Sequence, residues 1–114
     1  RKKVRRNKIL NTKYEEKDKL LIFEITEEID HNWAEKIRRK MDNEIERYMP
    51  KKVLFDFNQV TFMDSAGIGM LIGRYKAVRR LGGVTELINV NKSIKKIFEM
   101  CGLLKIIPIS NKCA

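Results

Sequence analysis

Strand-like and helix-like segments alternate along most of this chain, and this alternation limits its possible folds more than any other feature. Residues 20–26, 53–57 and 84–90 are short and apolar, and they are rich in β-branched and aromatic side chains, as buried strands are. Between them, apolar residues recur every three or four positions, as in helices that lie on a sheet. The pattern predicts a single α/β domain in which helices cover a small, mixed and mostly parallel sheet.

Capping and stop signals set the bounds of three predicted helices. The first begins after Asp30, a favourable N-cap residue, and ends before Pro50. The second runs from about residue 65 to 81 and ends at a Gly-Gly pair. The third is short and covers about residues 94–101. A last strand is predicted at residues 106–109, where a proline restricts it to an edge of the sheet.

The net charge of +10 is unevenly distributed, because residues 1–20 and 61–114 each carry a net charge of +6 and residues 21–60 carry −2. Residues 1–12 carry a run of Lys and Arg and are predicted to form a basic, solvated tail. A short edge strand is also predicted within residues 8–15. The folded domain is expected to cover residues 13–110, and residues 111–114 are expected to form a C-terminal tail. An alternative is that the basic run is an arm for an acidic partner or nucleic acid. Nucleic-acid binding is less favoured, because aromatic residues are few and no RNA-binding or helix-turn-helix signature is present.

Several classes of protein are disfavoured by what the sequence lacks. No segment approaches the ~20 consecutive apolar residues of a membrane span. The two cysteines, Cys101 and Cys113, and the single histidine, His31, do not form a metal-ligand spacing. We therefore expect no metal or cofactor and a cytoplasmic protein with reduced thiols, with Cys101 in the core and Cys113 in the tail. A redox switch between the two thiols is the alternative.

The start of the second helix is the most informative segment. Although 35% of the chain is charged, residues 65–73 carry no charge. A helical projection places Ile68, Leu71 and Val78 on the side that faces the sheet. It leaves a smooth, weakly apolar strip on the opposite side, formed by Ala66, Gly69, Met70, Gly73 and Ala77. A partner protein is favoured as the cover of this strip, because the other helices have apolar stripes of their own to bury. Cover by another element of the same domain is the alternative.

Ser65 opens this helix, directly after Asp64. Its hydroxyl is expected to cap the first turn, so that Ser65→Ala would cost about 1 kcal/mol of stability. A phosphate on Ser65 would be compatible with a helix N-terminus. It would also place a charge of about −2 beside the strip. The sequence therefore predicts that phosphorylation blocks docking and leaves the fold unchanged.

An enzymatic alternative would use Ser65 as a nucleophile and His31 as its base. A catalytic serine needs a positioned base and an acid that orients it. One histidine at the start of a helix does not provide this arrangement. We therefore predict no catalytic residue.

The same residues resemble the STAS domain family (sulfate transporter and anti-sigma factor antagonist). The resemblance rests on FMDSAGIG followed by GRYKAVRRLGG. Three further segments agree in order and spacing, so that the similarity spans residues 20–107: EIDHNWAEKIR, VLFDFNQVTF and IKKIFEMCGLLKII. The similarity is closest to the stage-II sporulation anti-sigma factor antagonists of spore-forming bacteria.

This resemblance implies a partner-switching mechanism in the regulation of transcription. Unphosphorylated members bind a serine-kinase anti-sigma factor and thereby release its sigma factor. The kinase inactivates them by phosphorylating a serine that matches Ser65, and a metal-dependent serine phosphatase reverses the modification. Asp30, Asp64, Gly67 and Gly69 match residues at or near the family's partner-binding surface. A scaffold role for the same domain in another signalling complex is the alternative.

Overall fold

The computed structural model describes residues 2–5, 10–26 and 31–110, with the backbone alone described at residues 2–5 and 31–33. The strands are β1 (Lys2–Arg5), β2 (Leu10–Glu15), β3 (Leu20–Ile25), β4 (Lys52–Asp56) and β5 (Val84–Ile88). The helices are α1 (His31–Tyr48), α2 (Ser65–Arg80) and α3 (Lys92–Met100), and a 3-10 turn, Leu103–Lys105, follows α3.

The five strands form one mixed sheet in which each strand lies next to its neighbour in sequence. The β1–β2 and β2–β3 pairs are antiparallel, whereas β3–β4 and β4–β5 are parallel. The crossovers through α1 and α2 both advance across the sheet in the same direction. Because such crossovers are right-handed, they place both helices on one face of the sheet, where the two helices contact each other. The α/β architecture predicted from the sequence is confirmed.

The core lies between this sheet face and the helices. Alternate residues of β3 point into it, so that Leu21, Phe23 and Ile25 are fully buried, as the sequence pattern predicts. Phe55 on β4 stacks on Phe23, with ring centroids 5.8 Å apart. The helices supply the other half of the core: Ile37, Met41 and Ile45 from α1, Leu71 and Val78 from α2, and Ile94 and Phe98 from α3.

The end of α2 depends on two glycines that have different roles. Gly82 has a left-handed backbone, with φ of +80°, which suits the residue after a helix cap. Gly83 lies where the chain returns to the sheet, and its N–H donates to Val78 O at 3.0 Å. A Cβ on Gly83 would lie 2.9 Å from Val78 Cγ1 and 3.0 Å from Lys51 O. Gly83 is therefore needed because there is no room for a side chain.

The N-terminal segment differs from the basic tail predicted over residues 1–12. Lys2–Arg5 form β1 at one edge of the sheet, and Leu10 begins β2 and is buried. Lys2 pairs with Glu15, and Arg5 pairs with Thr12. A run of charged residues prevents burial in a core but does not prevent backbone pairing at a solvent-exposed sheet edge. The edge strand predicted within residues 8–15 exists as β2, but it lies inside the sheet.

The C-terminal segment also differs from prediction. The strand expected at residues 106–109 is reduced to one parallel bridge between Leu87 and Ile109. Leu87 N–H donates to Pro108 O, and Ser110 N–H donates to Leu87 O. A 3-10 turn, Leu103–Lys105, precedes this bridge. The tail predicted at residues 111–114, with Cys113, lies outside the described residues.

The prediction that Cys101 is a core thiol is wrong, because this side chain is exposed. Cys101 is the C-cap residue of α3, which ends at Met100.

Replacement of Gly83 by Ala should destabilise the fold. The added methyl would contact two backbone carbonyls that cannot easily move, and overpacking of this kind costs about 1–3 kcal/mol. Urea denaturation monitored by circular dichroism would measure the loss. A Gly83→Ala variant as stable as the wild type would show that the β4–β5 end of the sheet adjusts freely.

Candidate functional site

The loop that leads to Ser65 is held by side chains from neighbouring strands and helices. Asp56 Oδ1 accepts hydrogen bonds from Asn58 N–H and from Asn89 Nδ2, both at 2.9 Å. Asn91 Nδ2 donates to Val60 O at 2.8 Å, while its Oδ1 caps α3. Within the loop, Val60 and Met63 are buried in the core. These contacts give Ser65 a defined position at the carboxyl end of the parallel strands.

Asp64 is the N-cap residue of α2. Its Oδ1 accepts a hydrogen bond from Gly67 N–H at 3.1 Å, and its carbonyl accepts one from Ile68 N–H at 3.0 Å. The prediction that the Ser65 hydroxyl caps this helix is therefore wrong. Ser65 is the first helical residue, and its side chain is exposed. Since the cap is provided by Asp64, the Ser65 hydroxyl is not required for the first turn.

The predicted strip on α2 divides into an exposed part and a buried part. Gly69 is exposed, and Ala66, Gly73 and Ala77 are half-buried. Cβ atoms built on Gly69 or Gly73 would meet no atom within 4 Å, so both glycines face open space. We call Ala66, Gly69, Gly73 and Ala77 the α2 strip. It forms a smooth surface that begins at Ser65.

Two residues expected on this surface lie in the interior. Met70 is 5% exposed and packs in the core. Gly67 is buried as well. The cause is α1, which packs beside α2 and covers one flank of it. A projection of α2 alone cannot show this neighbour, so the part of the strip that includes Met70 has a cover from its own domain.

A groove of about 300 Å³ separates the two helices along the α2 strip. Ala66, Gly69 and Arg74 line it from α2, and Ala34 and Arg38 line it from α1. Arg38 pairs with Glu35 and lies 3.5 Å from Asp42. Its hydrogen bond to Glu35 lowers the pKa of that carboxyl. The α1 wall of the groove is therefore charged, whereas the α2 wall near Ser65 is apolar.

Two residues of this region were not singled out from the sequence. Phe62, three positions before Ser65, is 57% exposed, which adds a large apolar side chain beside the serine. Arg74 is 7% exposed and is buried between α2 and α1. The sequence holds one signal for Arg74, since it lies four residues before Val78, which the projection places toward the sheet.

Asp30 lies outside the described residues, as does the side chain of His31, so the calls on these two residues stay predictions. Within the part of the chain that the structure describes, no group of His, Cys, Asp and Glu side chains is arranged to hold a metal ion. No helix of that part is long and apolar enough to cross a membrane.

The sequence-family model of the STAS domain matches residues 11–114. The chain belongs to the STAS domain family. It is 34% identical over 90 residues to the anti-sigma F factor antagonist of Paenibacillus polymyxa. The matched segment covers 79% of this chain and 77% of that protein. It is 30% identical over 105 residues to the anti-sigma-B factor antagonist of Listeria monocytogenes, covering 90% and 88%.

Solved structures agree with this STAS assignment. The anti-sigma factor antagonist SpoIIAA in its unphosphorylated form has a TM-score of 0.71 at 22% identity, covering 98% of this chain and 90% of that chain. Bacillus SpoIIAA in its phosphorylated form has a TM-score of 0.63 at 22% identity, covering 98% and 93%. At these identities the likeness shows a common fold. The resemblance read from the sequence motifs is thus confirmed at the level of family and fold.

Stability measurements can test the cap of the STAS domain's second helix. Asp64→Ala should lower the free energy of unfolding by about 1 kcal/mol, because Gly67 N–H loses its acceptor. Ser65→Ala should change it by less than about 0.5 kcal/mol, the usual effect of an exposed substitution. Urea denaturation of both variants gives the comparison. An equal loss of unfolding free energy in the two variants would mean that the Ser65 hydroxyl caps the helix after all.

A substitution within the α2 strip should raise the stability of the domain. Gly73→Ala should raise the free energy of unfolding by about 0.5–1 kcal/mol, because alanine favours helices and its methyl meets open space. Gly83→Ala is the matched control, with the opposite sign expected. A loss of stability in Gly73→Ala would mean that another element contacts the strip.

Proposed function

We propose that this STAS domain is an anti-sigma factor antagonist that binds a serine-kinase anti-sigma factor through α2 and thereby releases the sigma factor. Phosphorylation of Ser65 ends this binding, and a serine phosphatase restores it. The observation that carries the proposal is the position of Ser65, exposed at the first turn of α2, where the smooth α2 strip begins. The names of the similar proteins from Paenibacillus and Listeria support the class of partner.

The strip suits close contact with a protein. Its residues have no side chain beyond Cβ, so that a partner's backbone or side chains can approach the helix directly. Glycine within a helix costs about 1 kcal/mol relative to alanine, and the fold alone gives no steric reason for glycine at positions 69 and 73. Contact with a partner supplies that reason. Phe62, on the loop that leads to the helix, is a further exposed apolar side chain.

The effect of phosphorylation follows from electrostatics. A phosphate on Ser65 would add a charge of about −1.5 to −2 next to the Asp64 carboxylate. The N-terminus of α2 favours this charge by about 0.3–1 kcal/mol while the surface is in water. A docked partner would remove the water from the phosphate, and an unpaired charge in such an interface is strongly unfavourable. The free domain therefore tolerates phosphorylation, whereas the complex is destabilised by it.

Mass spectrometry after incubation with ATP and a serine-kinase anti-sigma factor from the same genome tests the switch. The wild type should gain one phosphate, and Ser65→Ala should gain none. Ser93→Ala is the matched control, because Ser93 is also exposed near the start of a helix, and it should be phosphorylated like the wild type. A folded wild type without phosphate would instead favour a STAS interaction module that this kinase does not switch.

Binding to the same kinase tests the docking surface. Gly73→Glu should weaken binding more than about tenfold, since it places a charged side chain across the strip at a centrally buried position of the complex. The fold should remain, because the new side chain enters open space. Ser93→Glu adds the same charge on α3 and should bind within about twofold of the wild type. Calorimetric titration measures both, and unchanged binding by Gly73→Glu would exclude the strip as the interface.

A further inference from the structure

The loop between β4 and α2 is anchored at every third residue. Phe57, Val60 and Met63 are buried in the core, and the residues between these anchors are exposed. Thr61–Phe62 is the exposed pair nearest to Ser65. A protein that binds at Ser65 is therefore expected to contact this pair, and the conformation of the pair depends on how firmly the neighbouring anchors are held.

The turn between β5 and α3 holds this loop through two asparagine side chains. Asn91 Nδ2 donates to Val60 O at 2.8 Å, which is the middle anchor of the loop. Asn89 Nδ2 donates to Asp56 Oδ1 at 2.9 Å, and the same oxygen accepts Asn58 N–H at the start of the loop. We call Asn89 and Asn91 the loop clamp. It joins the turn after β5 to the loop that leads to the serine.

Asn91 uses both ends of its amide. Its Oδ1 accepts Ile94 N–H at 2.9 Å and so caps α3, while its Nδ2 holds the carbonyl of Val60. Aspartate is an equally favourable N-cap residue, but its carboxylate has no N–H to donate. The cap alone would therefore be satisfied by aspartate, and the bond to the loop is what distinguishes asparagine at this position.

Asn89 combines an unusual backbone with its hydrogen bond to the loop. Its φ is +57°, in the left-handed region that glycine adopts most easily and that asparagine tolerates. Its side chain adds a charge-assisted hydrogen bond to the carboxylate of Asp56. Glycine at position 89 would therefore remove the side-chain bond without straining the turn.

We propose that Asn89 and Asn91 are positioning residues, which hold Thr61–Phe62 in the conformation that the kinase recognises next to Ser65. The proposal rests on the proposed function, since the kinase is the anti-sigma factor that phosphorylates Ser65. A recognition segment that is already ordered does not lose conformational entropy when the kinase binds it. Phe62 gives this segment a large apolar side chain that is 57% exposed.

The clamp should affect recognition and leave the chemical step unchanged. Ser65 lies on α2, whose first turn is capped by Asp64 and whose Leu71 and Val78 are fully buried in the core. These contacts do not involve the loop clamp, so the hydroxyl keeps its position when the clamp is lost. A change that weakens only the binding of a substrate raises KM and leaves kcat unchanged.

The test measures the kinetics of Ser65 phosphorylation by the serine-kinase anti-sigma factor that modifies the wild type. Asn91→Asp keeps the cap acceptor of α3 but removes the donor to the loop, and Asn89→Gly removes the other donor. Each variant should raise KM about threefold to tenfold and keep kcat within about twofold. Asn43→Asp is the matched control. It makes the same change from amide to carboxylate at an exposed position of α1 and should keep KM within about twofold.

Three results would overturn the proposal. Unchanged kinetics in both folded clamp variants would show that the kinase does not depend on the clamp. A fall of kcat at constant KM would place the effect in the chemical step. An equal rise of KM in Asn43→Asp would assign the effect to net charge, which the neutral change Asn89→Gly also controls.

Hydrogen exchange tests the clamp in the absence of the kinase. In Asn91→Asp, the amide of Val60 should exchange about tenfold faster than in the wild type, because its anchor is weakened. The amide of Ile94 should keep its exchange rate, because the introduced carboxylate still accepts its N–H. An unchanged rate at Val60, or faster exchange at both amides through loss of α3, would overturn the proposal.

The wild type distinguishes the two levels of inference. If the kinase does not phosphorylate the wild type, the proposed function fails, and kinase recognition through the clamp fails with it. If the kinase phosphorylates the wild type and both folded clamp variants with equal KM, the proposed function stands and the role of the clamp is wrong.

Discussion

The packing of α1 against α2 on one face of the sheet is the contact on which the site depends. Two parallel crossovers that advance in one direction bring the helices together, and the contact buries Met70 and Arg74 on the near flank of α2. Gly69, which lines the groove between the two helices, and Gly73 face open space. The contact between α1 and α2 thus determines which part of α2 belongs to the core and which part is available to a partner.

The fold could be predicted to the extent that each element carries its own local signal. Alternation in β3, the stripe of α1 and the glycines after α2 all gave the correct element, because burial and capping act over a few residues. The errors arose where a distant element decided the outcome. β1 forms because β2 offers a sheet edge to Lys2–Arg5, and Met70 is buried because α1 lies beside it. Neither contact leaves a trace in the local sequence.

The exposure of the candidate site was predictable, but its local geometry was not. The uncharged stretch after Asp64 marked the surface, since an uncharged helix start is unusual in a chain of this charge. The sequence did not show whether Asp64 or Ser65 caps the helix. Serine and aspartate are both favourable N-cap residues, and the choice depends on where the helix begins. The structure gives the cap to Asp64, and Ser65 is exposed.

The capping of α2 by Asp64, and not by Ser65, affects how a phosphate on Ser65 can act. If the Ser65 hydroxyl capped the helix, its modification would disturb the first turn, and loss of binding could follow from local unfolding. With Asp64 as the cap, the backbone of the first turn keeps its acceptor when Ser65 carries a phosphate. The positive end of the α2 dipole then favours the added charge in water, whereas a partner that covers the helix start must remove that water. In the proposed switch, the free energy that opposes docking would therefore arise in the complex and not in the domain, so that a phosphorylated and an unphosphorylated form could share one fold.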